Sequence, residues 1–329
     1  MDLYLSSFNA HGLRNASSAA SLLKNLLELG IDVAALQETN FTCPRDERVF
    51  ENDYVVYSAY TVSRGAGVSL LVKRSLNAVV NLLYTDTQGR LLVADLSVNG
   101  KKFRVATVHA PNSSVERSRF FRQIEPYLAD PKHTYLVGDW NAILDPNLDR
   151  GGRGGSGRRC RNKCLRNFMA ENDLVDRYRV DHPGRKHWTW TNFSSSSVTN
   201  RSYLDRMLVR RADLDFLSCP EFKYLGRSDH KLVMARLRLS DRPKMATYWK
   251  LNSSLLELED FRKKLGELVQ RELVGAVTGN KWWISLKHKI RTFAVKYSQQ
   301  LALDKATAEK SIEDKLHRAV AGGIPLAKL

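Results

Sequence analysis

Short polar groups that follow short apolar runs carry the chemistry of this sequence. Phe8-Asn9, Leu36-Gln37-Glu38, Val108-His109 and Val137-Gly138-Asp139-Trp140-Asn141 each put a residue able to bind metal or phosphate just after a Val- or Leu-rich segment. Asp205, in Tyr203-Leu204-Asp205-Arg206, and Asp229-His230, ahead of Leu232, border two more such segments. Hydrolysis of a phosphodiester needs a cation to neutralise developing charge, a group that orients water and takes its proton, and a donor for the transition-state oxygens. A hard ion such as Mg²⁺ takes a few carboxylates and keeps several waters, which makes Glu38 the first candidate ligand, with help from an Asn or Asp. Asp139 and Asn141, two positions apart, can face one side of an extended chain, Asp139 taking a proton from water while Asn141 holds it. Gly138 permits a tight exit from the strand. His230 can donate to a phosphate oxygen, and Asp205 can orient that imidazole by accepting from its other nitrogen. Singly, each is ordinary turn or capping chemistry; in this order they describe one site, provided a common sheet edge gathers them.

The elements that must do the gathering are legible as apolar runs bounded by turn residues, which predict strands at residues 3–8, 33–36, 68–72, 91–96, 103–108, 135–137, 203–209 and 232–239. Leucine and aromatic residues at helical spacing predict helices at 19–29, 115–128 and 164–175. Many strands and few helices suggest an α/β fold of two packed, mostly antiparallel sheets with helices outside. Beyond Asp241-Arg242-Pro243, which reads as a linker, residues 255–273 and 283–303 show helical periodicity with many Lys and Arg. The expected division is therefore 1–239, an α/β catalytic domain, and 240–329, a basic and mostly helical extension.

The 329 residues are 43% hydrophobic, enough for a sizeable core, and carry a formal charge of +17. Such a surplus favours a polyanionic partner, nucleic acid first and an anionic membrane second. No run approaches the ~18 apolar residues of a membrane span and the N-terminus lacks the basic start of a secretory signal, so a soluble intracellular protein without membrane partners is expected. Four scattered cysteines argue for reduced thiols. Arg153, Arg158 and Arg159 lie in a glycine-rich basic loop suited to the phosphate backbone. Trp190 can stack on bases or wedge into a groove. The G-x-G-x-x-G match at 152–157 has no βαβ setting, and the zinc-like spacing of Cys160, Cys164, His182 and His187 is interrupted by an amphipathic helix; neither is taken as a site.

As a set, Ser7-Phe8-Asn9, Leu36-Gln37-Glu38-Thr39, Gly138-Asp139-Trp140-Asn141, Tyr203-Leu204-Asp205-Arg206 and Ser228-Asp229-His230 resemble the endonuclease/exonuclease/phosphatase superfamily over residues 1 to about 239. Within it, Val108-His109-Ala110-Pro111-Asn112 and Leu144-Asp145-Pro146 through Leu148-Asp149-Arg150 are most similar to the N-terminal endonuclease of LINE-type retrotransposon polyproteins. Tyr248-Trp249-Lys250-Leu251-Asn252 and Trp282-Trp283 resemble the connector between that nuclease and the reverse transcriptase. The resemblance implies a four-layered α/β sandwich, Mg²⁺ dependence with Mn²⁺ as a substitute, and a nick in double-stranded target DNA whose 3′-hydroxyl primes reverse transcription. It implies Glu38 as principal ligand with Asn9 and Asp229 beside the metal, Asp139 and Asn141 at the water, Asp205 paired with His230, and Thr189 at the scissile region. It further implies action in the nucleus after synthesis in the cytoplasm, as a piece of a longer polyprotein, with the reverse transcriptase and, through the basic tail, the element's RNA as partners. Relatives often carry tyrosine where His109 stands, and a protonated His109 would keep a phosphate contact there. The competing expectations are an apurinic repair endonuclease or other phosphoesterase of the same superfamily, and a catalytically dead nucleic-acid-binding module.

Overall fold

A computed structural model describes residues 2–129, 132–152, 163–194, 197–226, 228–239, 251, 253–274 and scattered positions from 282 to 311. It divides into two compact units, Met1–Asp241 and Arg242–Leu329. The first is built on two six-stranded sheets. One runs β14 (Glu221–Lys223), β15 (Leu232–Arg238), β1 (Asp2–Asn9), β2 (Val33–Gln37), β4 (Val68–Lys73), β3 (Tyr54–Ala59). The other runs β10 (Leu174–Asp176), β13 (Asp205–Arg210), β8 (His133–Asp139), β7 (Lys101–His109), β6 (Leu91–Val98), β5 (Val79–Thr85). All neighbours are antiparallel except the central pair of each sheet, β1 with β2 and β7 with β8. A small third sheet joins β9 (Arg150–Gly152), β12 (Ser197–Ser202) and β11 (Trp190–Ser194).

Side-chain alternation along the strands builds three cores and hence four layers. In β8, Tyr135 and Val137 enter the core between the sheets while Leu136 faces the other way. In β4, Leu70 and Val72 face inward and Leu71 outward. Two helices cover the outer face of the second sheet, α2 (Ser114–Ile124) and α4 (Lys163–Glu171), whose Phe121 and Phe168 stack at 4.9 Å over Leu136 and Trp140. On the first sheet lies α1 (Ala16–Glu28), whose Leu22 and Leu26 pack on Ala34, Leu36 and Leu71; its N-terminus is closed by Asn15, which accepts from Ser17 N at 2.9 Å. Two short helices, α3 (Pro146–Asp149) and α5 (Arg177–Asp181), complete the unit.

Three expectations are corrected in detail. The helix expected to reach residue 175 stops at Glu171, and Asp173, at φ +50°, turns the chain into β10. The strand expected from residue 203 begins at Asp205, because Tyr203 and Leu204 belong to the approach of the site. Strands β3, β5, β9, β11, β12 and β14 were not legible as apolar runs. In the second unit, α6 (Glu259–Leu273) follows a short 3₁₀ turn at Ser253–Glu257. Its Phe261 is buried with Leu255 and Ala294, its ring stacked 5.4 Å from Phe293.

Candidate active site

The two parallel pairs decide where the polar residues go. Parallel neighbours end at the same edge, and the registers Asn9↔Gln37 and His109↔Asp139 put the C-terminal ends of β1, β2, β7 and β8 at one end of both sheets. The antiparallel β13 starts at that end with Asp205 opposite Asp139, and Asp229-His230 precedes β15 there. Gly138 has the tightest constraint: at φ +154°, a Cβ would lie 1.8 Å from the carbonyl oxygen of Val108, so only glycine lets β7 and β8 approach here. Glu38 (φ +52°), Asn141 (φ +45°) and His11 (φ +52°) all adopt left-handed backbone, a costly conformation for non-glycine residues that here aims three side chains at one place.

Asp139 is the hub. It is buried, its Oδ1 accepts from Asn141 N at 2.9 Å, and its Oδ2 accepts from Asn9 Nδ2 at 3.1 Å. Asn9 Nδ2 also donates to Glu38 Oε1 at 2.9 Å, so one amide bridges the two carboxyl groups. His230 Nδ1 is 2.9 Å from Asp205 Oδ2, and its Nε2 is 3.8 Å from Asp139 Oδ2. His109 Nε2 stands 3.6 Å from Glu38 Oε1. His11 Nδ1 lies 3.8 Å from both Glu38 Oε2 and Asp229 Oδ1, between the two acids. Asp229 is itself held by Trp190, whose Nε1 donates to Oδ2 at 2.7 Å.

Burial pushes the Asp139 carboxyl above its ordinary range, and the Asp205 charge adds to it. Burial likewise raises Glu38, opposed by the Asn9 hydrogen bond and reinforced by Asp139. Burial alone would lower His230, but the charge and hydrogen bond of Asp205, with Asp139 and Asp229, outweigh it and push the ring up to about 10. His109 goes down to about 4, chiefly through burial, with Asp139 opposing and the Arg90 and His230 charges assisting. So low a value favours the neutral ring near pH 7, the form opposite to the protonated one through which a phosphate contact was expected.

The arrangement fits a hard divalent cation. Glu38 and Asp229 are oxygen donors on either side of the same imidazole, Glu38 and Asp139 are carboxyl groups held above their range chiefly by burial, and Glu38, His109 and Asp139 bring ligand atoms within 4.8 Å of one another. Asp205 Oδ1 is buried without a hydrogen-bond partner among the described residues.

Three expected residues have polar atoms engaged within the protein. Asn9 donates through its amide to both acids, and its Oδ1 accepts from His11 N at 3.2 Å, so the side chain orients Glu38 and Asp139. Thr189 is buried under the site, its Oγ1 accepting from Leu204 N and Asp205 N at 3.0 Å each, which braces Asp205. Asn141 turns its Nδ2 to Ala110 O at 2.8 Å. Arg153, Arg158 and Arg159 lie outside the described residues. His182 sits 3.6 Å from Cys219 and His187 packs on Phe222, away from Cys164, which packs against the core beneath α2 and α4.

Sequence reasoning missed three features. His11 had only the turn-forming His-Gly that follows Asn9 as a signal. Arg117 is buried in α2 and donates through Nη1 to Pro111 O, Asn112 O and Asn141 O, pinning the loops after β7 and β8; one arginine in a helix gives no such signal. A polar groove lined by Arg64, Arg90, Arg119, Gln88 and Gln123, with Glu116, opens beside the acids. A Cβ on Gly65 would lie 3.9 Å from Glu38 Oε2, and His109 N donates to Arg90 O at 2.8 Å. The three arginines are far apart in sequence, and among the described residues none forms an ion pair within 4 Å.

Comparison with known proteins agrees with this geometry. The chain is 27% identical over 317 residues to the Transposon TX1 uncharacterized 149 kDa protein of Xenopus laevis, covering 92% of this chain and 23% of that protein. The chain thus spans about a quarter of the length of the curated relative it matches. Among solved structures, the AP endonuclease LMAP of Leishmania major superposes with TM-score 0.60 at 18% identity, covering 72% of this chain and 88% of that one. The endonuclease domain of TRAS1, a telomere-specific non-LTR retrotransposon, superposes with TM-score 0.56 at 15% identity, covering 72% and 99%. Residues 6–230 match the Endonuclease/Exonuclease/phosphatase family, and those residues span every candidate ligand and acid just described: the chain belongs to that family of metal-dependent nucleases and phosphatases.

Proposed function

We propose that this chain is a Mg²⁺-dependent endonuclease that nicks double-stranded DNA to leave a 3′-hydroxyl for target-primed reverse transcription, acting in the nucleus on behalf of a transposon. The observation that carries the chemistry is the convergence of Asn9, His230 and Asn141 on Asp139 beside Glu38, at one end of both sheets. Glu38 and Asp229 would hold the ion, which when bound neutralises charge on the phosphate and lowers the pKa of water. Asp139, fixed by two donors, takes the proton of the attacking water. His230, oriented through Nδ1 by Asp205, presents Nε2 to a phosphate oxygen where negative charge develops. Neutral His109, with Nε2 toward Glu38, accepts or donates one hydrogen bond without adding charge. The +17 formal charge and the arginine groove beside Glu38 support a polyanionic substrate longer than one phosphate. The likeness to a transposon protein supports the retrotransposition setting, with a reverse transcriptase as partner and the basic second unit as a surface for the element's RNA.

The test is nicking of supercoiled plasmid with Mg²⁺ or Mn²⁺, with EDTA, and by Asp139→Ala and His230→Ala variants, followed by end mapping. Metal-dependent nicks bearing 3′-hydroxyls, reduced at least ~100-fold by either substitution, are expected. Cleavage confined to duplexes with an abasic site would place the enzyme in repair, and tight DNA binding with no nick in any metal would leave a binding module.

A further inference from the structure

Trp190 sits at the start of β11 next to the acids, but its one polar atom is already committed: Nε1 donates to Asp229 Oδ2 at 2.7 Å. The backbone around that bond is a ladder. Thr191 N donates to Asp229 O at 2.9 Å, Lys231 N donates to Thr189 O at 2.7 Å, and Trp190 and His230 form a β-bridge. Residues 189–191 and 229–231 therefore run as paired strands outside the main sheets, which sets the indole relative to the carboxylate before any ligand arrives. The other oxygen of Asp229, Oδ1, lies 3.4 Å from Ser228 Oγ and 3.8 Å from His11 Nδ1, on the side that faces Glu38.

We infer that Trp190 is a positioning residue that aims Asp229 Oδ1 at the cation site. An aspartate side chain left 29% exposed would rotate broadly about its last torsion. An indole N–H is donor-only and carries a single hydrogen, so it fixes one carboxylate oxygen and leaves the other directed. It is also neutral. An arginine or lysine in its place would fix Asp229 equally well but cancel the charge a divalent ion needs. The half-buried ring thus orients a ligand without weakening it, which differs from the base-stacking role its sequence neighbourhood suggested. The inference rests on the proposed metal-dependent reading of the site.

The test is direct binding of Mn²⁺ to the full chain, followed by electron paramagnetic resonance, for wild type, Trp190→Phe and the control Trp188→Phe. Outer partners of metal ligands typically change affinity by ~10–100-fold. Trp190→Phe is expected to weaken Mn²⁺ binding at least ~10-fold while its Tm and its affinity for DNA in EDTA stay near wild type, and Trp188→Phe is expected to leave Mn²⁺ affinity unchanged. Wild-type Mn²⁺ affinity in Trp190→Phe overturns the inference, as does a loss of DNA affinity in EDTA with metal binding intact, which would make the ring a DNA contact. Should Trp190→Phe not fold, Trp190→Tyr, which keeps the ring but moves the donor, is read by the same criteria. If wild type itself takes up no Mn²⁺, the metal-dependent reading fails and the role of Trp190 falls with it.

Discussion

His187 shows how burial, with help from neighbouring charges, can make one residue an acid sensor of stability. Its ring lies 4.1 Å from Phe222 and 5.1 Å from Tyr178, its Nε2 has no hydrogen-bond partner among the described residues, and burial, aided by Lys231 and Arg185, lowers its pKa to about 3. In the unfolded chain the ring takes its proton near its ordinary value. The stability gained by keeping it neutral is therefore complete above that value and is lost as pH falls toward 3. Full linkage would give ~2 kcal/mol between pH 6.5 and 5; halved for a ring partly open to water, ~1 kcal/mol is expected. Thermal melts of wild type and His187→Phe across that range check this: the variant should show the flatter profile, and identical slopes would remove His187 from the account. Asp149 responds in the same direction at lower pH. Although burial opposes it, Arg206 and Arg179 hold its carboxyl below the usual range, so its contribution disappears only as pH falls through that depressed value.

At the scale of elements, the pairing of β7 with β8 at Val108 and Gly138 is the tightest joint in the site. Gly138→Ala would drive a methyl into the Val108 carbonyl, 1.8 Å from an ideal Cβ. Because that carbonyl belongs to a central strand and cannot retreat, the expected loss is ~3 kcal/mol or more, read as a shift in the urea midpoint, together with loss of nicking as Asp139 leaves its place. A midpoint within ~0.5 kcal/mol of wild type would show that the two strands are not held as closely as described. The sequence signalled Gly138 as a turn former, and the residue was right for a different reason: a close approach of two strands cannot be read from one of them. The same limit explains the rest of the comparison. Strands buried on both faces, such as Val33–Gln37 and Val68–Lys73, were legible because burial forces continuous Val and Leu. The edge strands Tyr54–Ala59 and Val79–Thr85 were not, because one flank meets water and their residues are mixed. The residues now found around Asp139 were legible as an ordered set. The bracing roles of Thr189 and Arg117, made through backbone carbonyls and amides of other segments, had no one-dimensional signature.

Taken whole, the catalytic unit carries its charge unevenly. Arg64, Arg90 and Arg119 come from three separate segments to line one groove beside Glu38, with Glu116 the only acid among its described lining residues. Each phosphate contact removed lowers the steepness of log K against log salt by about 0.9. An Arg64→Ala/Arg90→Ala/Arg119→Ala triple variant should therefore bind duplex DNA in EDTA with a salt slope smaller by about 2 to 3, whatever the DNA sequence. Fluorescence anisotropy between 50 and 200 mM salt is the measurement, with exposed Lys102→Ala as control. An unchanged slope would move the DNA to another face.

The pairing of β1 with β15 has a bearing on timing. Asp2 meets Arg238 in that ladder, and Ser228 Oγ donates to Asn9 O across 219 positions of chain. Contacts of such long range make folding slow and let it finish only when both partners exist. On the ribosome, Asn9 and Glu38 are made well before β15, so β1 has β2 on one flank but no partner on the other until Arg238 has emerged from the exit tunnel. A chain in which β15 has not yet been made therefore lacks both the second flank of β1 and the Asp229-His230 pair, and the site cannot assemble from Asn9 and Glu38 alone.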